Sequence, residues 1–497
     1  MARRRSQGPG PTLLLCFGVA CVLMLLQPDA LAAHGELRKA SPSNGAHLSV
    51  VPTELRLTFT EPVELALARI TLLGPAGAVE LRQLELHPDS ANVLIVPITG
   101  ALPAGTYEVG WRVAGADGHP VRGRYSFVIA PGAAGLALPP APGQPPAPVT
   151  HHEAASFPEG PGFDAESPLY AAIRWLTFVA LLGVCGAVAF RLVLLLAARQ
   201  HNPACDTILK PAARRAAYIG VWSSAALLFA AVLRLVAQST ALHGVANAFA
   251  PGLVGTLLTR TLWGWGWLLQ VGASLAAMIA FRRAVKSHTG AWLAAAAAAV
   301  VLAFTPGLAG HAAATTGLGP LPLISDALHV VGAGGWLGGL LGVLLAGVPL
   351  ALRLPAEQRG SATATLVNAF SPTALTFAGL TVATGILGAW IHIGSPTVLF
   401  TSGYGRILLL KLVVLTGVFA TGAYNWLRVR PALGDAAAAG RLRRSSTVEL
   451  TVGLLVLVVT AVLVATPPPT PKAAPTAADC CAPLAETDGE DPPATTP

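Results

Sequence analysis

Charge is scarce in this chain. Aspartate, glutamate, lysine and arginine make up 11% of its 497 residues, against about 25% in a soluble domain. Length alone would allow roughly three soluble domains, and the shortage of charge excludes that reading for most of the chain. Methionine is scarcer still, confined to Met1, Met24 and Met278, so a cluster of thioether ligands for a soft metal ion has nothing to be built from. The six cysteines offer no disulfide framework. Cys16 and Cys21 lie near the start, Cys185 in an apolar run, Cys205 in a loop and Cys480-Cys481 in a polar tail. There is no Walker A loop, no D-K-T-G and no C-P-C within an apolar segment, which argues against an ATP-driven pump.

What is present is apolar: 53% of residues are hydrophobic, and much of the chain must lie in lipid. The first 33 residues read as a secretory signal peptide. Arg3-Arg4-Arg5 precede an apolar stretch over 13–26, and small residues follow at 30–33. Cleavage after Ala33 exposes His34 as the new N-terminus, whereas cleavage after Ala32 leaves Ala33 ahead of it.

Residues 34–130 alternate with period two, as in Glu54-Leu55-Arg56-Leu57-Thr58-Phe59 and Tyr107-Glu108-Val109-Gly110-Trp111-Arg112-Val113. Turn sequences such as Pro42-Ser43-Asn44-Gly45 and Asp117-Gly118 punctuate them, which predicts a small antiparallel β-sandwich. Residues 131–168 are rich in Pro, Gly and Ala and read as a semi-rigid linker containing the solvated pair His151-His152. From 169 to 466 eight segments are long enough to cross a bilayer: 169–196, 216–237, 262–281, 291–308, 328–351, 372–393, 406–427 and 446–465. The tail, 467–497, is polar and Pro-rich and reads as disordered.

A net charge of +8 raises nucleic acid as a partner, but the positions of the basic residues point to membrane orientation instead. Arg199, Lys210, Arg214 and Arg215 separate the first two spans, and Arg282, Arg283 and Lys286 the third and fourth. Arg353 and Arg359 follow the fifth, and five arginines from Arg428 to Arg444 follow the seventh. The alternate loops are nearly bare of them. Basic loops stay cytoplasmic, so both ends of the mature chain lie outside the inner (plasma) membrane. The sandwich is then periplasmic, and the partners are the lipid bilayer and not nucleic acid.

Two clusters carry chemistry. In the sandwich, His34 would supply an imidazole and a free α-amine, and Asp117-Gly118-His119 puts a carboxylate and an imidazole in one tight turn. Three nitrogens and one oxygen suit a tetragonal Cu(II) centre. The segment also resembles the periplasmic copper-binding family CopC, through His34, Ser41–Gly45, Leu55–Phe59 with Glu61-Pro62-Val63, Gly105-Thr106-Tyr107, Trp111 and Asp117–Pro120. The resemblance implies an Ig-like or cupredoxin-like sandwich that binds Cu(II) through His34, Asp117 and His119. It also implies that the methionine-rich Cu(I) site of some members is absent here. His47, Glu61 and Glu64 are read as solvated, though either glutamate could lie near the metal.

In the membrane half, His311, Asp326, His329 and His392 all fall at or near the outer face, and His243 lies in an outer loop. Asp326 and His329, three apart, share a helix face, and ionisable residues in lipid face a cavity or a partner. Gly310-His311-Ala312, Asp326-Ala327-Leu328-His329, Trp336–Gly339, Tyr404-Gly405-Arg406, Lys411, Asn425 and Glu449 resemble the copper resistance membrane family CopD. That resemblance covers about 169–468 and implies an all-α polytopic bundle that moves copper into or across the membrane. Lys411 is expected to snorkel or to balance Asp326, and Glu449 to pair with nearby arginines. The function expected is capture of the copper ion as Cu(II) outside the inner membrane and its transport inward, with other envelope copper proteins as possible partners and no enzymatic step. The alternatives are a haem-containing cupric reductase and copper sequestration or sensing without flux.

Overall fold

A computed structural model describes residues 37–60, 62–114, 120–134, 167–201, 206–308, 318–393, 396–432 and 438–466. Among the described residues nine strands form the first part: β1 (Leu37–Ser41), β2 (His47–Val50), β3 (Glu54–Phe59), β4 (Arg69–Gly74), β5 (Gly77–Ala78), β6 (Glu85–His87), β7 (Ser90–Pro97), β8 (Gly105–Ala114) and β9 (Pro120–Ala134). They make two sheets, ordered β1-β3-β7-β6 and β2-β9-β8-β4-β5. The period-two pattern becomes the core directly. Leu55, Leu57 and Phe59 of β3 with Leu94 and Val96 of β7 face Tyr107, Val109, Trp111 and Val113 of β8 and Phe127 and Ile129 of β9. Each such side chain stabilises the fold by about 1.5–3 kcal/mol when fully buried. The Tyr107 ring stacks on Phe127 at 5.3 Å and its hydroxyl donates to the Pro103 carbonyl at 2.7 Å.

One pairing departs from the antiparallel expectation. β2 runs parallel to β9. The chain leaves β1 in one sheet, turns through Pro42–Ala46 and enters the other sheet at its edge. A strand that changes sheets in this way needs no hairpin with its new neighbour, so its direction is set by the crossing and not by a turn.

Among the described residues, eight helices long and apolar enough to cross a membrane follow: α1 (Pro168–Gln200), α2 (Thr207–His243), α3 (Leu262–Val285), α4 (Ala291–Leu308), α5 (Leu321–Ala351), α6 (Ala356–Ile391), α7 (Gly403–Val429) and α8 (Gly440–Leu463). Several outrun the apolar segments that announce them, because their added turns are polar. Hydroxyl caps define three starts at the same end of the bundle. Ser167, Thr261 and Ser402 accept from the backbone N–H of Tyr170, Gly264 and Gly405 at 3.2, 2.9 and 2.9 Å, each satisfying one orphan donor of a helix start.

Small residues let α1 and α5 touch along their backbones. A Cβ at Gly338 would run into the Leu182 carbonyl, and one at Gly186 into the backbone of Gly338. This is the close approach that small-residue stripes permit in lipid. α5 also carries two π-helical turns, Gly334–Gly338 and Val343–Gly347, and α7 ends in a third, Asn425–Val429.

The sandwich sits on the bundle. Leu67 and Ala114 pack in one apolar cluster with Leu242, Leu257 and Trp263, and Arg112 Nη1 donates to the Leu242 carbonyl at 3.1 Å. The starts of α1, α3, α5 and α7 and the ends of α2, α4, α6 and α8 therefore share the sandwich side.

Gly338→Ala should destabilise the bundle by about 1–3 kcal/mol, the usual cost of overpacking, read as earlier unfolding in a detergent titration. Gly379→Ala, where nothing lies within 4 Å of the added carbon, should leave the midpoint unchanged.

Candidate metal centre

α5 begins at Leu321, earlier than its apolar run, so Asp326 and His329 lie inside its second and third turns and not at its start. Both are half-buried. His329 Nδ1 lies 3.0 Å from the Thr384 hydroxyl of α6. That hydroxyl spends its one proton on the Leu380 carbonyl at 2.7 Å, with the Thr381 carbonyl at 3.1 Å. With the hydroxyl proton on either carbonyl, its oxygen accepts from His329, and Nδ1 is the nitrogen that carries the proton in that tautomer. Nε2 is then left with a lone pair, the arrangement of a histidine ready to ligate a metal while its other nitrogen is held by a neighbour. Gly385, whose missing Cβ would stand 3.3 Å from His329 Cε1, leaves room for the ring.

Asp326 faces α4 and α7. Its Oδ2 lies 3.5 Å from where a Cβ of Gly307 would be. Lys411 and Tyr404 of α7 both interact with it electrostatically, and Lys411 also acts on His329. Of the two expectations for Lys411, the counter-charge to Asp326 is the one its surroundings support.

His243 occupies a different place. It ends α2 beside the docked sandwich, its Nε2 is buried without a partner, and Arg69 and Arg112 of the sandwich act on it. Among the described residues, no three of His, Cys, Asp and Glu converge tightly enough to hold a metal ion. His34, Asp117, His119 and His311 lie outside the described residues, and of His392 only its backbone position on the helix that also carries Thr384 is described. The chain leaves α4 at Leu308, three residues before His311, a reach of at most about 11 Å. His392 stands eight residues beyond Thr384, about 12 Å along the axis.

Near the sandwich loop, Glu64 is half-buried, not solvated. Its N–H donates to the Ala114 carbonyl at 2.9 Å, and burial holds its carboxyl above the usual range. Glu449 departs from the pairing with arginines. It is 5% exposed and accepts from Asn425 Nδ2 at 2.8 Å and from the Trp336 side chain. The reason is helical phase: Arg441, Arg443 and Arg444 are exposed at the start of α8, while Glu449 faces α5 and α7. Thr384, which orients His329, carried no sequence signal of its own. Arg174 and Arg234, unremarked in the sequence, were legible only as arginines inside spans.

A β-sandwich seated on the end of a bundle with eight candidate spans among the described residues is the architecture of a two-domain membrane protein. The CopC domain model matches residues 37–130, the "Copper resistance protein D-like, N-terminal domain" model residues 164–321, and the "Copper resistance protein D" model residues 364–463. The chain thus belongs to the CopC/CopD copper-resistance family, with both kinds of domain in one polypeptide. It is 27% identical over 447 residues to the copper transport protein CutJ of Bacillus subtilis, covering 88% of this chain and 75% of that protein. It is 32% identical over 118 residues to copper resistance protein C of Xanthomonas campestris pv. juglandis, covering 22% of this chain and 91% of that one. The crystal structure of CopC from Methylosinus trichosporium OB3b is 33% identical, covering 20% of this chain and 95% of that one at a TM-score of 0.19.

The Asp326–Lys411 coupling is measurable. Asp326→Asn and Lys411→Met should each destabilise the bundle, and the double variant should recover part of the sum. An interaction energy of about 0.5–3 kcal/mol from unfolding midpoints is the expected result. Strict additivity would show that the two side chains do not answer each other.

Proposed function

We propose that this protein captures Cu(II) on the periplasmic side of the inner membrane and passes it into the bundle for transport inward. Capture falls to His34, Asp117 and His119. Asp117 and His119 belong to the five-residue connection between β8 and β9, and the observation that carries the reading is where that connection is rooted. Ala114, the last residue of β8, is fully buried in the cluster formed with Leu242, Leu257 and Trp263. The capture loop therefore starts from the bundle surface. His243 adjoins that contact, with Arg69 and Arg112 of the sandwich beside it.

From there the route runs to the sandwich-side ends of α4 and α6, where His311 and His392 belong, and then to the deeper Asp326–His329 pair. His329 supports this role through its Nδ1 bond to Thr384, which leaves Nε2 available. A carboxylate one turn away supplies an oxygen donor, and imidazole with carboxylate suits Cu(II). Copper is cargo here, so each site needs ligands that exchange rather than a closed shell. A series of incomplete sites meets that need. Lys411 keeps Asp326 compensated while no ion is present, and an arriving Cu(II) takes over that role.

Two measurements test the two halves separately. Asp326→Ala combined with His329→Ala should lower copper accumulation in cells to the level of a strain lacking the protein, while the Cu(II) EPR signal of the purified sandwich stays intact. Unchanged accumulation would defeat the transport half. His119→Ala should remove one nitrogen from the hyperfine pattern of that signal, and an identical spectrum would defeat the capture half.

A further inference from the structure

Among the described residues of the bundle, Glu449 is a buried carboxyl that the copper route leaves unused. It lies nine residues into α8 and is held from two other helices. Asn425 Nδ2, four residues before the end of α7, donates to Oε2 at 2.8 Å, and the indole N–H of Trp336 on α5 donates as well. Gly422 puts no side chain between α7 and the carboxyl, whose Oε1 lies 3.5 Å from where a Cβ would stand. No cation answers this group. α8 packs against α1, α5 and α7. Toward the same end of the bundle α1 carries Cys185, Arg191 and Arg199, and α7 carries Tyr424 and Arg428. α5 has no titratable residue between His329 and Arg353, and α8 itself begins with Arg441, Arg443 and Arg444. None of these acts on the carboxyl.

The contrast with Asp326 is chemical. A lysine ammonium has only hydrogens to offer, so it favours the ionised carboxylate. An amide pairs with both forms. Its NH2 donates to a carboxylate, and its carbonyl oxygen accepts from a carboxylic acid. A half-turn of the side chain exchanges the two ends in place. Asn425 has both ends available for this, because its Oδ1 is buried and has no donor. That oxygen is short of one hydrogen, and a protonated Glu449 has one to give. A metal ion suits the place less, because the two N–H groups already aimed at the carboxyl would point at it. The same two helices also reach the candidate copper ligands. α5 carries Asp326 and His329 and, two turns beyond His329, Trp336. α7 carries Lys411, which acts on Asp326, and Asn425 about four turns later. Between those two levels the Trp336 ring stacks on Phe419 of α7 at 5.3 Å. A shift of α7 against α5 as an arriving cation replaces Lys411 therefore moves the amide and the indole that hold Glu449.

We infer that Glu449 and Asn425 form a binding site for one exchangeable proton, coupled through α5 and α7 to copper occupancy at Asp326 and His329. The proton comes from water at the end of the bundle away from the sandwich. An O–H bond forms on the carboxyl, Asn425 turns its Oδ1 to accept it, and no electron moves. The proton site stands by itself, whereas its coupling rests on the copper route proposed above. Coupling between two binding sites is reciprocal, so loading either one changes the affinity of the other by the same factor.

The test is infrared difference spectroscopy on the full-length protein in detergent, between alkaline and acid buffer. Wild type should gain the C=O band of a carboxylic acid that Glu449→Gln lacks. Asn425→Leu should keep that band but move it to higher frequency, because the O–H then has no amide oxygen to bond. At a fixed pH within the transition, added Cu(II) should change the ratio of acid to carboxylate by about fivefold or more. Asp326→Ala combined with His329→Ala should remove that response. Wild-type and Glu449→Gln spectra without a difference overturn the proton site. A Glu449 band indifferent to Cu(II) overturns the coupling, as does a response that survives the double substitution. Copper accumulation in cells is a separate measurement, which keeps loss of transport distinct from loss of the proton site.

Discussion

An ionised side chain inside a bilayer has to be answered by another group, because water is not there to do it. The bundle meets this demand in three ways, and each marks a region with its own chemistry. Asp326 is answered by a cation, Lys411, with Tyr404 nearby. Glu449 is answered by neutral donors, Asn425 and Trp336. Arg234 is answered by an amide oxygen and an aromatic face. A charge paired with an opposite charge can be released when a competing ion arrives.

These regions stay apart because the helices between them are packed tightly. Glycine contact along α1 and α5 fixes the centre of the bundle, and interiors at that density transmit a displacement rather than absorb it. The π-helical turns Gly334–Gly338 and Asn425–Val429 bracket Trp336 and Asn425, the two donors to Glu449. Such single-turn irregularities recur at functional sites. Here they put two donors from different helices onto one buried carboxyl, on the half of the bundle away from the sandwich.

Much of this was readable in the sequence. The strands of the sandwich announce themselves because alternation and burial coincide residue by residue, as in Leu55, Leu57 and Phe59. The number of spans was readable because apolar length is a sufficient signal. The helix ends were not. The turns added to α2 and α6 are polar, and hydropathy is blind to them; in α5 the added Leu321–Ala327 is apolar but broken by Pro322, Ser325 and Asp326, which is why Asp326 seemed to start a helix that it actually enters five residues in. β2 was missed as a parallel strand because direction depends on where the chain crosses between sheets, and local pattern carries no such information. For the candidate site, the spacing of Asp326 and His329 was legible, as a matter of helical period. Its orientation by Thr384 was not, since one threonine in an apolar span looks like any other until its neighbour across the interface is known.

The position of α4 decides how charge is arranged on the sandwich side. Thr305 and Pro306 line a cavity together with Arg174 and Arg234, while Gly307 lies against Asp326. One helix end thus separates a cationic space from an anionic one within three residues. Two opposite charges on neighbouring helices with nothing between them would collapse into an ion pair, and neither would be open to a ligand. A wall of backbone and small side chains prevents that. It keeps the guanidinium groups turned toward Gln270 and Tyr170 and the carboxylate turned toward Lys411. Positive charge at Arg174 and Arg234 and negative charge at Asp326 thus lie on opposite sides of the α4 end. Glycine at position 307 is part of that wall, because a Cβ there would stand 2.9 Å from Leu323 Cδ1 and 3.5 Å from the Asp326 carboxylate.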